Sequence, residues 1–328
     1  MMRDHYIFSN GRIQRKNNTI YFINADEQKQ PLPVEKIRNL HVFGEVDLNT
    51  KLLNFLSQHD ICIHVYNYYG FYAGTYYPRE KQVSGFLLVK QCGHYEDRLK
   101  RMYLAHQFLY GAVHHMLRNL RRHRPATEEI ITAILLESQK LQMAKTINEL
   151  MGIEGRIRQL YYSAFNNIIK YGFVFEKREK KPPRDPLNAL ISFGNTMMYQ
   201  AVLSELYRTQ LNPTVSYLHE PSVKRFSLSL DLAEIYKPLI IDSMIFSLIN
   251  KRVITTKHFD YIEEEICYLN EEGRKKFIVA FEEKMKTSVN HRVLKRKTSY
   301  RHLIRLECYK LIKHLVDDED YKPLKAWW

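Results

Sequence analysis

The segment that decides how the chain is organised is residues 216–242, SYLHEPSVKRFSLSLDLAEIYKPLIID. It places His219 before a short basic loop and an apolar stretch that carries two acids. Asp231 and Glu234 are three residues apart, so a helix would present both carboxylates on one face. The strongly apolar surroundings predict a largely buried helix. Buried carboxylates cost free energy unless they pair with basic side chains or bind a cation, and this segment leaves both outcomes open.

A second segment, residues 146–169, has an unusual placement of glycines. Its apolar residues recur at helical spacing, and Glu154 lies between Gly152 and Gly155. Each glycine inside a helix costs about 1 kcal/mol relative to alanine. One interpretation is that the missing side chains let another backbone or a phosphate approach Glu154. The other is a helix that begins near Gly152, with Glu154 favourably placed in its first turn. Both can hold together.

Four motifs follow one another between residues 151 and 238, and together they carry a resemblance. They are MGIEGRIR at 151–158, KPPRDPLNALISFGN at 181–195, LHE at 218–220 and SLSLDLAEIYKP at 227–238. In this order they resemble the CRISPR-associated protein one family, the integrases of CRISPR spacer acquisition. A histidine and an acid alone would not be specific, whereas four ordered motifs are. The lengths of chain before and after the motifs also suit this family.

The resemblance implies a divalent-metal site formed by Glu154, His219 and Glu234. Glu154 matches the acid of the family's Glu-Gly motif, and His219 matches its Leu-His motif. Glu234 matches the acid three residues beyond the Asp-Leu aspartate, a position that is Asp or Glu across the family. Asp231 is that aspartate, on the same helix face, and it would support the ligands. Two carboxylates and an imidazole suit Mn²⁺ or Mg²⁺ better than a thiol-seeking metal.

The activity that the resemblance implies is strand transfer by a metal-dependent DNA endonuclease. In this family the 3′-hydroxyl of a short DNA fragment attacks a phosphodiester at the edge of a CRISPR repeat, and water in its place gives cleavage. The implied partners are double-stranded DNA, a second copy of the chain in a homodimer, and the small CRISPR-associated protein two. Two other functions stay open: a general metal-dependent DNA or RNA nuclease, and a non-catalytic nucleic-acid-binding protein.

Composition favours an intracellular protein with an anionic partner. The 328 residues include 50 Lys and Arg against 36 Asp and Glu, a formal net charge of +14. This surplus suggests nucleic acid, although solubility alone also explains a basic protein. The four cysteines are too widely spaced for a metal motif, and we expect reduced thiols. Without a signal peptide or a membrane-length apolar run, we expect no membrane partner and a cytoplasmic location.

The sequence pattern predicts an α+β protein with two domains. Residues 1–77 contain short apolar runs separated by turn signals, typical of a small β-sandwich or roll. In the resembled family such a domain mediates dimerisation. Residues 78–84 form the predicted linker. Residues 85–328 switch to helical spacing and are expected to form a larger all-α catalytic domain that binds metal and DNA.

The larger domain is expected to contain a series of helices. Their predicted ranges are 85–123, 127–145, 187–211, about 229–250, about 257–266, 271–288 and a last helix that ends near 316. Asp185 and Asn270 are predicted helix caps, as is Asn49 for a short helix over 48–58 in the first domain. Pro238 removes the hydrogen bond to the Glu234 carbonyl, which predicts a distorted helix there. The C-terminal pair Trp327 and Trp328 is expected to dock on the body of the protein or on a partner.

Basic segments are candidates for DNA contact. Residues 170–184 form a predicted exposed loop that ends in paired prolines, either a solvated connection or a DNA-contacting loop. Residues 284–301 contain seven basic residues and no acid. Repulsion among these charges favours a phosphate-tracking surface over a merely solvated face. Other basic residues near the site could also hold phosphate: Lys224, Arg225, Arg156 and Arg158.

Overall fold

The computed structural model of the chain describes residues 2–179, 182–221, 226–263 and 265–328. The chain divides into two compact units, Met1–Lys81 and Gln82–Trp328. The first unit is rich in strands and the second is mainly helical, so the α+β prediction is confirmed. Within the described residues, no helix has both the length and the apolar character needed to cross a membrane.

Short strands make up most of the first unit. They are β1 (Arg3–Ile7), β2 (Gly11–Lys16), β3 (Thr19–Asn24), β4 (Lys29–Leu32), β5 (Ile37–Val42), β6 (Val46–Asp47), β7 (Cys62–Tyr66) and β8 (Tyr72–Tyr76). A single 3₁₀ turn, Val34–Lys36, precedes β5. Helix α1 (Thr50–Gln58) begins at Asn49, whose side chain accepts the Leu52 amide at 2.9 Å, and this cap was predicted.

In residues 2–81 the strands form two four-stranded sheets, ordered β1-β5-β7-β8 and β4-β3-β2-β6. In the first sheet β1, β5 and β7 run parallel and β8 is antiparallel to β7. In the second, β2 and β3 are joined by a tight turn, in which Asn17 adopts a φ of 55° as such two-residue turns require. Apolar side chains from both sheets and from α1 form one core, including Ile13, Ile20, Leu40, Ile63 and Phe55.

Helices make up most of the second unit. They are α2 (Gly85–Glu96), α3 (Arg98–Arg121), α4 (Glu128–Gln139), α5 (Ile147–Ser163), α6 (Phe165–Ile168), α7 (Pro186–Leu206), α8 (Ser227–Tyr236), α9 (Ser243–Asn250), α10 (Glu271–Lys286) and α11 (Tyr300–Leu315). The predicted helix over 85–123 is divided at Asp97, whose carboxylate accepts two amides at the start of α3. Asp185 and Asn270 cap α7 and α10 as predicted.

The second unit also contains strands, which corrects the all-α prediction. The helix predicted over 257–266 is wrong: this region forms a hairpin of β9 (Phe259–Ile262) and β10 (Ile266–Leu269). The basic run 284–301 contains a second hairpin, of β11 (Ser288–His291) and β12 (Arg296–Ser299). The first hairpin is rich in aromatic and β-branched residues, which favour strands when a neighbouring surface is available. Here β10 lies beside α7, which supplies that surface.

Helix α8 lies at the centre of the second unit. It packs between α3 and α7, and almost all of its side chains are buried, which confirms the predicted burial. A helix that is apolar on nearly every face must be surrounded in this way. Two glycines on the neighbouring helices face crowded surroundings. A Cβ added to Gly111 of α3 would lie 2.9 Å from Pro323 and 3.3 Å from Ile235 of α8, and one added to Gly194 of α7 would lie 2.4 Å from Ile241, just after α8.

Pro238 interrupts the helix as predicted, and the chain continues through a π-helical turn, Lys237–Asp242, into α9. An irregular turn leaves backbone carbonyls without their usual amide partners, and buried carbonyls need a donor. Helix α3 supplies two. His115 Nδ1 donates to the Ile235 carbonyl at 2.8 Å, and Asn119 Nδ2 donates to the Pro238 carbonyl at 2.7 Å. The backbone that carries Glu234 is therefore held from α3.

The C-terminal segment after α11 folds back onto the second unit. Tyr321 is fully buried, and its hydroxyl donates to the carboxylate of Glu307 at 2.7 Å. The Trp328 indole donates to the Tyr300 hydroxyl at 2.7 Å, and the Trp327 ring contacts that of Trp328 edge-on. Of the two possibilities for these tryptophans, the structure shows the first: they dock on the body of the protein.

Candidate active site

The loop before α8 is built around the carboxylate of Asp231, which is fully buried. Its Oδ2 accepts the amides of Tyr217 at 2.7 Å and Leu218 at 3.0 Å. Its Oδ1 accepts the amide of His219 at 2.9 Å and the ring Nδ1 at 2.8 Å. Because a carboxylate only accepts, the proton of this ring contact is on Nδ1. Nε2 is thus the nitrogen of His219 that could bind a ligand, as in metal-binding histidines oriented by a carboxylate.

His219 belongs to the same electrostatic cluster as Glu234. Burial disfavours a charge on the imidazole, but the hydrogen bond to Asp231 and the charges of Asp231 and Glu234 outweigh it, so the pKa of His219 is raised. The His219 side chain remains 24% exposed, whereas that of Asp231 is inaccessible. Asp231 thus lies behind His219 and holds its ring, while part of the His219 side chain remains accessible to solvent.

Glu154 and Glu234 converge on a single guanidinium, that of Arg158. Arg158 Nε donates to Glu154 Oε1 on the same helix, α5, and Arg158 Nη2 donates to Glu234 Oε2 on α8. Lys237 Nζ donates to Glu234 Oε1 at 2.5 Å. These four side chains are between 7 and 15% exposed. Two of the three predicted metal ligands, from helices far apart in sequence, thus share one cation.

Glu234 and Arg158 are both charged at neutral pH. Burial alone would raise the pKa of Glu234, but the charges of Arg158, Lys237 and His219 lower it to about 2. Burial likewise disfavours the charge on Arg158, but Glu234 and Glu154 raise its pKa well above its usual value. The sequence carried a signal for both basic partners, since Arg158 is four residues after Glu154 and Lys237 three after Glu234, the spacings of helical ion pairs.

The donor chemistry of these residues fits a hard divalent cation. Carboxylate oxygens are the ligands that Mg²⁺ and Mn²⁺ prefer, and Mn²⁺ also accepts imidazole. In the described part of the chain, however, no three His, Cys, Asp or Glu side chains are arranged so that they could hold a metal together. The place between the carboxylates of Glu154 and Glu234 is taken by Arg158. The side-chain types therefore suit the predicted metal, while their present arrangement is that of an ion-pair cluster.

A further buried acid, Asp242, ends the π-helical turn, and sequence reasoning assigned it no role. Burial raises the pKa of Asp242 to about 7, although a hydrogen bond with Tyr161 and the charges of Arg158, Arg178 and Lys237 act in the opposite direction. Asn119 Nδ2 donates to the Tyr161 hydroxyl at 2.9 Å, which links this acid to α3. The feature of the sequence that could have indicated this buried acid is its position within an apolar run.

The basic residues that were candidates for phosphate contact lie in different surroundings in the structure. Arg158 faces the acids instead of a groove, and Arg156 pairs with Glu137 at 2.5 Å. In the segment 170–184, Arg178 is mostly buried and donates to the side chains of Asn188 and Ser192. Lys224 and Arg225 lie outside the described residues, as do two lysines of the 170–184 segment.

The basic run 284–301 keeps most of its charge exposed. Arg301 is the exception on α11, because it is buried and pairs with Glu282 at 2.8 Å. The hairpin formed by β11 and β12 carries a group of exposed basic residues, namely Arg292, Lys295, Arg296 and Lys297. A strand pair that presents several cations together is a suitable surface for a polyanion.

A comparison with protein families identifies the class of CRISPR-associated proteins to which the four sequence motifs pointed. The profile of the family described as CRISPR associated protein Cas1 matches residues 5–283. This chain belongs to the Cas1 family, which confirms the resemblance seen in the sequence.

Among its relatives, this chain is 60% identical to the CRISPR-associated endonuclease Cas1 of Clostridium perfringens, over the full length of both chains. A solved structure of a CAS1 protein from Thermotoga maritima is 39% identical, with a TM-score of 0.90, and the match covers 98% of this chain and all of the other. A casposase bound to its integration product matches with a TM-score of 0.87 at 20% identity, over 99% of this chain and 94% of the other. That likeness shows a shared fold.

Proposed function

We propose that this protein is a metal-dependent DNA endonuclease and integrase of CRISPR adaptation. It inserts short DNA fragments as new spacers, using the 3′-hydroxyl of the fragment to attack a phosphodiester at a repeat boundary. The observation that supports this most directly is the convergence of buried Glu154 and Glu234 beside an imidazole, His219, oriented by Asp231. The name of the relative from Clostridium perfringens, an endonuclease, supports the same class of activity.

The proposed ligands are those that the family resemblance implies. Glu154, Glu234 and Nε2 of His219 would hold Mn²⁺ or Mg²⁺, which would supply Lewis-acid polarisation of the phosphodiester and offset charge on the leaving oxygen. Asp231 keeps the proton of His219 on Nδ1 and fixes the ring orientation. His115 of α3 holds the Ile235 carbonyl, and so fixes the backbone next to Glu234.

The proposed partners are double-stranded DNA, a second copy of the chain and the CRISPR-associated protein two. Residues 1–77 provide the dimerisation domain in this proposal, as the family resemblance implies. The exposed cations of the β11–β12 hairpin, at Arg292 and Arg296 among others, provide phosphate contacts away from the metal ligands. This function places the protein in the cytoplasm, together with the cell's DNA.

A plasmid-joining assay tests the proposal. The wild type, with the CRISPR-associated protein two added, is incubated in Mn²⁺ with supercoiled repeat-containing plasmid and a short duplex that bears free 3′-hydroxyls. We expect joined product from the wild type. Joining should fall by about 100-fold or more in Glu154→Gln and His219→Ala, because the loss of a ligand weakens metal binding. Glu149→Gln is the matched control, since Glu149 is an exposed acid at the start of the same helix.

Two further arms separate the alternatives. A fragment with a blocked 3′-end should abolish joining and leave cleavage, whereas a general nuclease would cleave and never join. A chelator should abolish both activities; activity that survives it would indicate a metal-free site. Equal joining by wild type and Glu154→Gln, with both folded by circular dichroism, would refute the assigned site. DNA binding without any product would favour the non-catalytic binder.

A further inference from the structure

Two cations already neutralise the two carboxylates at the centre of the candidate site. Arg158 reaches one oxygen of Glu154 and one of Glu234, and Lys237 reaches the second oxygen of Glu234. The two carboxylates and the two cations together therefore carry no net charge, so a divalent ion would add two uncompensated positive charges to the cluster. All these groups are largely shielded from water, so their charges are screened far less than on an open surface.

We infer that Arg158 holds the place of the metal in the metal-free protein, and that the metal must displace its guanidinium in order to bind. This inference rests on the proposed metal site at Glu154 and Glu234. A guanidinium does not give up its proton in a protein, so Arg158 cannot become neutral when the ion arrives. A fixed positive charge and a divalent ion that compete for the same oxygens repel each other strongly at short range.

Arg158, and not Lys237, is the residue in direct competition. The guanidinium of Arg158 bridges carboxylates from two helices, α5 and α8, which is the bridging task of the proposed metal. Its planar fork can hold two acceptors at once, which a lysine ammonium does not match in geometry. Among the described residues the ion pair of Lys237 is with Glu234, three residues earlier in the chain, so it does not bridge α5 and α8.

The position of Arg158 between the carboxylates stabilises the metal-free protein. Without Arg158 the two buried carboxylates would repel each other, and Glu154 would lose its basic partner while Glu234 kept only Lys237. Arg158 prevents this by joining α5 to α8 before any metal is present. The consequence is a metal affinity that is lower than the ligands alone would give, because each binding event must break the contacts of Arg158.

Metal titration of the purified full-length protein tests the inference. Mn²⁺ binding is measured by calorimetry for wild type, Arg158→Met and Arg156→Met, and the melting temperature of each is measured with and without Mn²⁺. Arg158→Met should bind Mn²⁺ at least about ten-fold more tightly, since one competing charge is removed. It should also melt lower without metal and gain more on adding Mn²⁺. Arg156→Met is the matched control: Arg156 is on α5 like Arg158, but it pairs with Glu137 of α4, so its loss should leave Mn²⁺ affinity unchanged.

Unchanged or weaker Mn²⁺ affinity in Arg158→Met would overturn the inference. If Arg158→Met does not fold, Arg158→Lys serves instead, because it keeps a charge but loses the two-armed contact; it too must bind Mn²⁺ more tightly than wild type. Glu154→Gln separates the two proposals. If it leaves wild-type Mn²⁺ affinity intact, the proposed metal site and the exchange both fail. If it weakens binding while Arg158→Met matches wild type, the exchange alone fails.

Discussion

Replacing Asp242 with asparagine should stabilise the protein at alkaline pH and much less at acidic pH. The carboxyl of Asp242 is buried among α3, α5 and the π-helical turn, and burial raises its pKa to about 7. Asparagine has nearly the same shape as the protonated acid and carries no charge. The substitution therefore removes the cost of ionising a buried carboxyl, while it preserves a polar partner for the Tyr161 hydroxyl.

The magnitude follows from the difference between the folded pKa of about 7 and the ordinary value of 3.8. Because the folded pKa is the higher one, the stability due to protonated Asp242 is fully present below the unfolded pKa and is lost as pH rises towards 7. Each pKa unit corresponds to about 1.4 kcal/mol, so the full loss is at most about 4 kcal/mol. The slope applies from pH 5 up to the folded pKa of about 7, which is roughly two pH units. The advantage of Asp242→Asn should therefore grow by about 3 kcal/mol between pH 5 and pH 8.

Urea denaturation of metal-free wild type and Asp242→Asn at pH 5 and pH 8 measures this difference. Asp260→Asn is the control, because Asp260 is an exposed acid on β9 of the same unit and should show no comparable pH-dependent gain. An advantage of Asp242→Asn that is the same at both pH values would refute the reasoning, since it would mean that Asp242 does not change its ionisation on folding within this window.

Other substitutions test packing and buried hydrogen bonds elsewhere in the second unit. Gly194→Ala should destabilise the protein by about 1–3 kcal/mol, because its Cβ would overlap Ile241. Gly93→Ala, on α2 with open space at its Cβ position, should be neutral or stabilising by up to about 1 kcal/mol, and similar urea midpoints for the two variants would contradict this. Tyr321→Phe should cost about 1–3 kcal/mol by removing a donor to buried Glu307, and a thermal melt matching that of the exposed-site control Tyr309→Phe would argue against it.

Features that depend on neighbours in sequence were predictable. Asn49, Asp185 and Asn270 were identified as helix caps from residue type and position, because a cap is a hydrogen bond to an amide two or three residues away. The burial of α8 and its interruption at Pro238 were predictable for the same reason, since apolar periodicity and a missing amide are local properties. The family and its candidate ligands came from four motifs whose order is a property of the sequence.

Features that depend on distant segments were not predictable in this way. The hairpins at 259–269 and 288–299 were missed because strand pairing and the surface beside α7 are supplied by the folded chain. The role of Asp242 was missed because burial, which changes its pKa, comes from helices elsewhere in the sequence.

By itself the sequence determined the α+β class and the helix boundaries set by caps and prolines, and it supplied Glu154, His219, Asp231 and Glu234 as candidate site residues. Only the tertiary structure decided how these side chains are used. It showed that Asp231 accepts hydrogen bonds from both the backbone amide and the ring of His219, and that Arg158 joins Glu154 to Glu234, which lies 76 positions after Arg158. The physical reason is that electrostatic interactions act through space, and the packing of α5, α3 and α8 sets which charges meet.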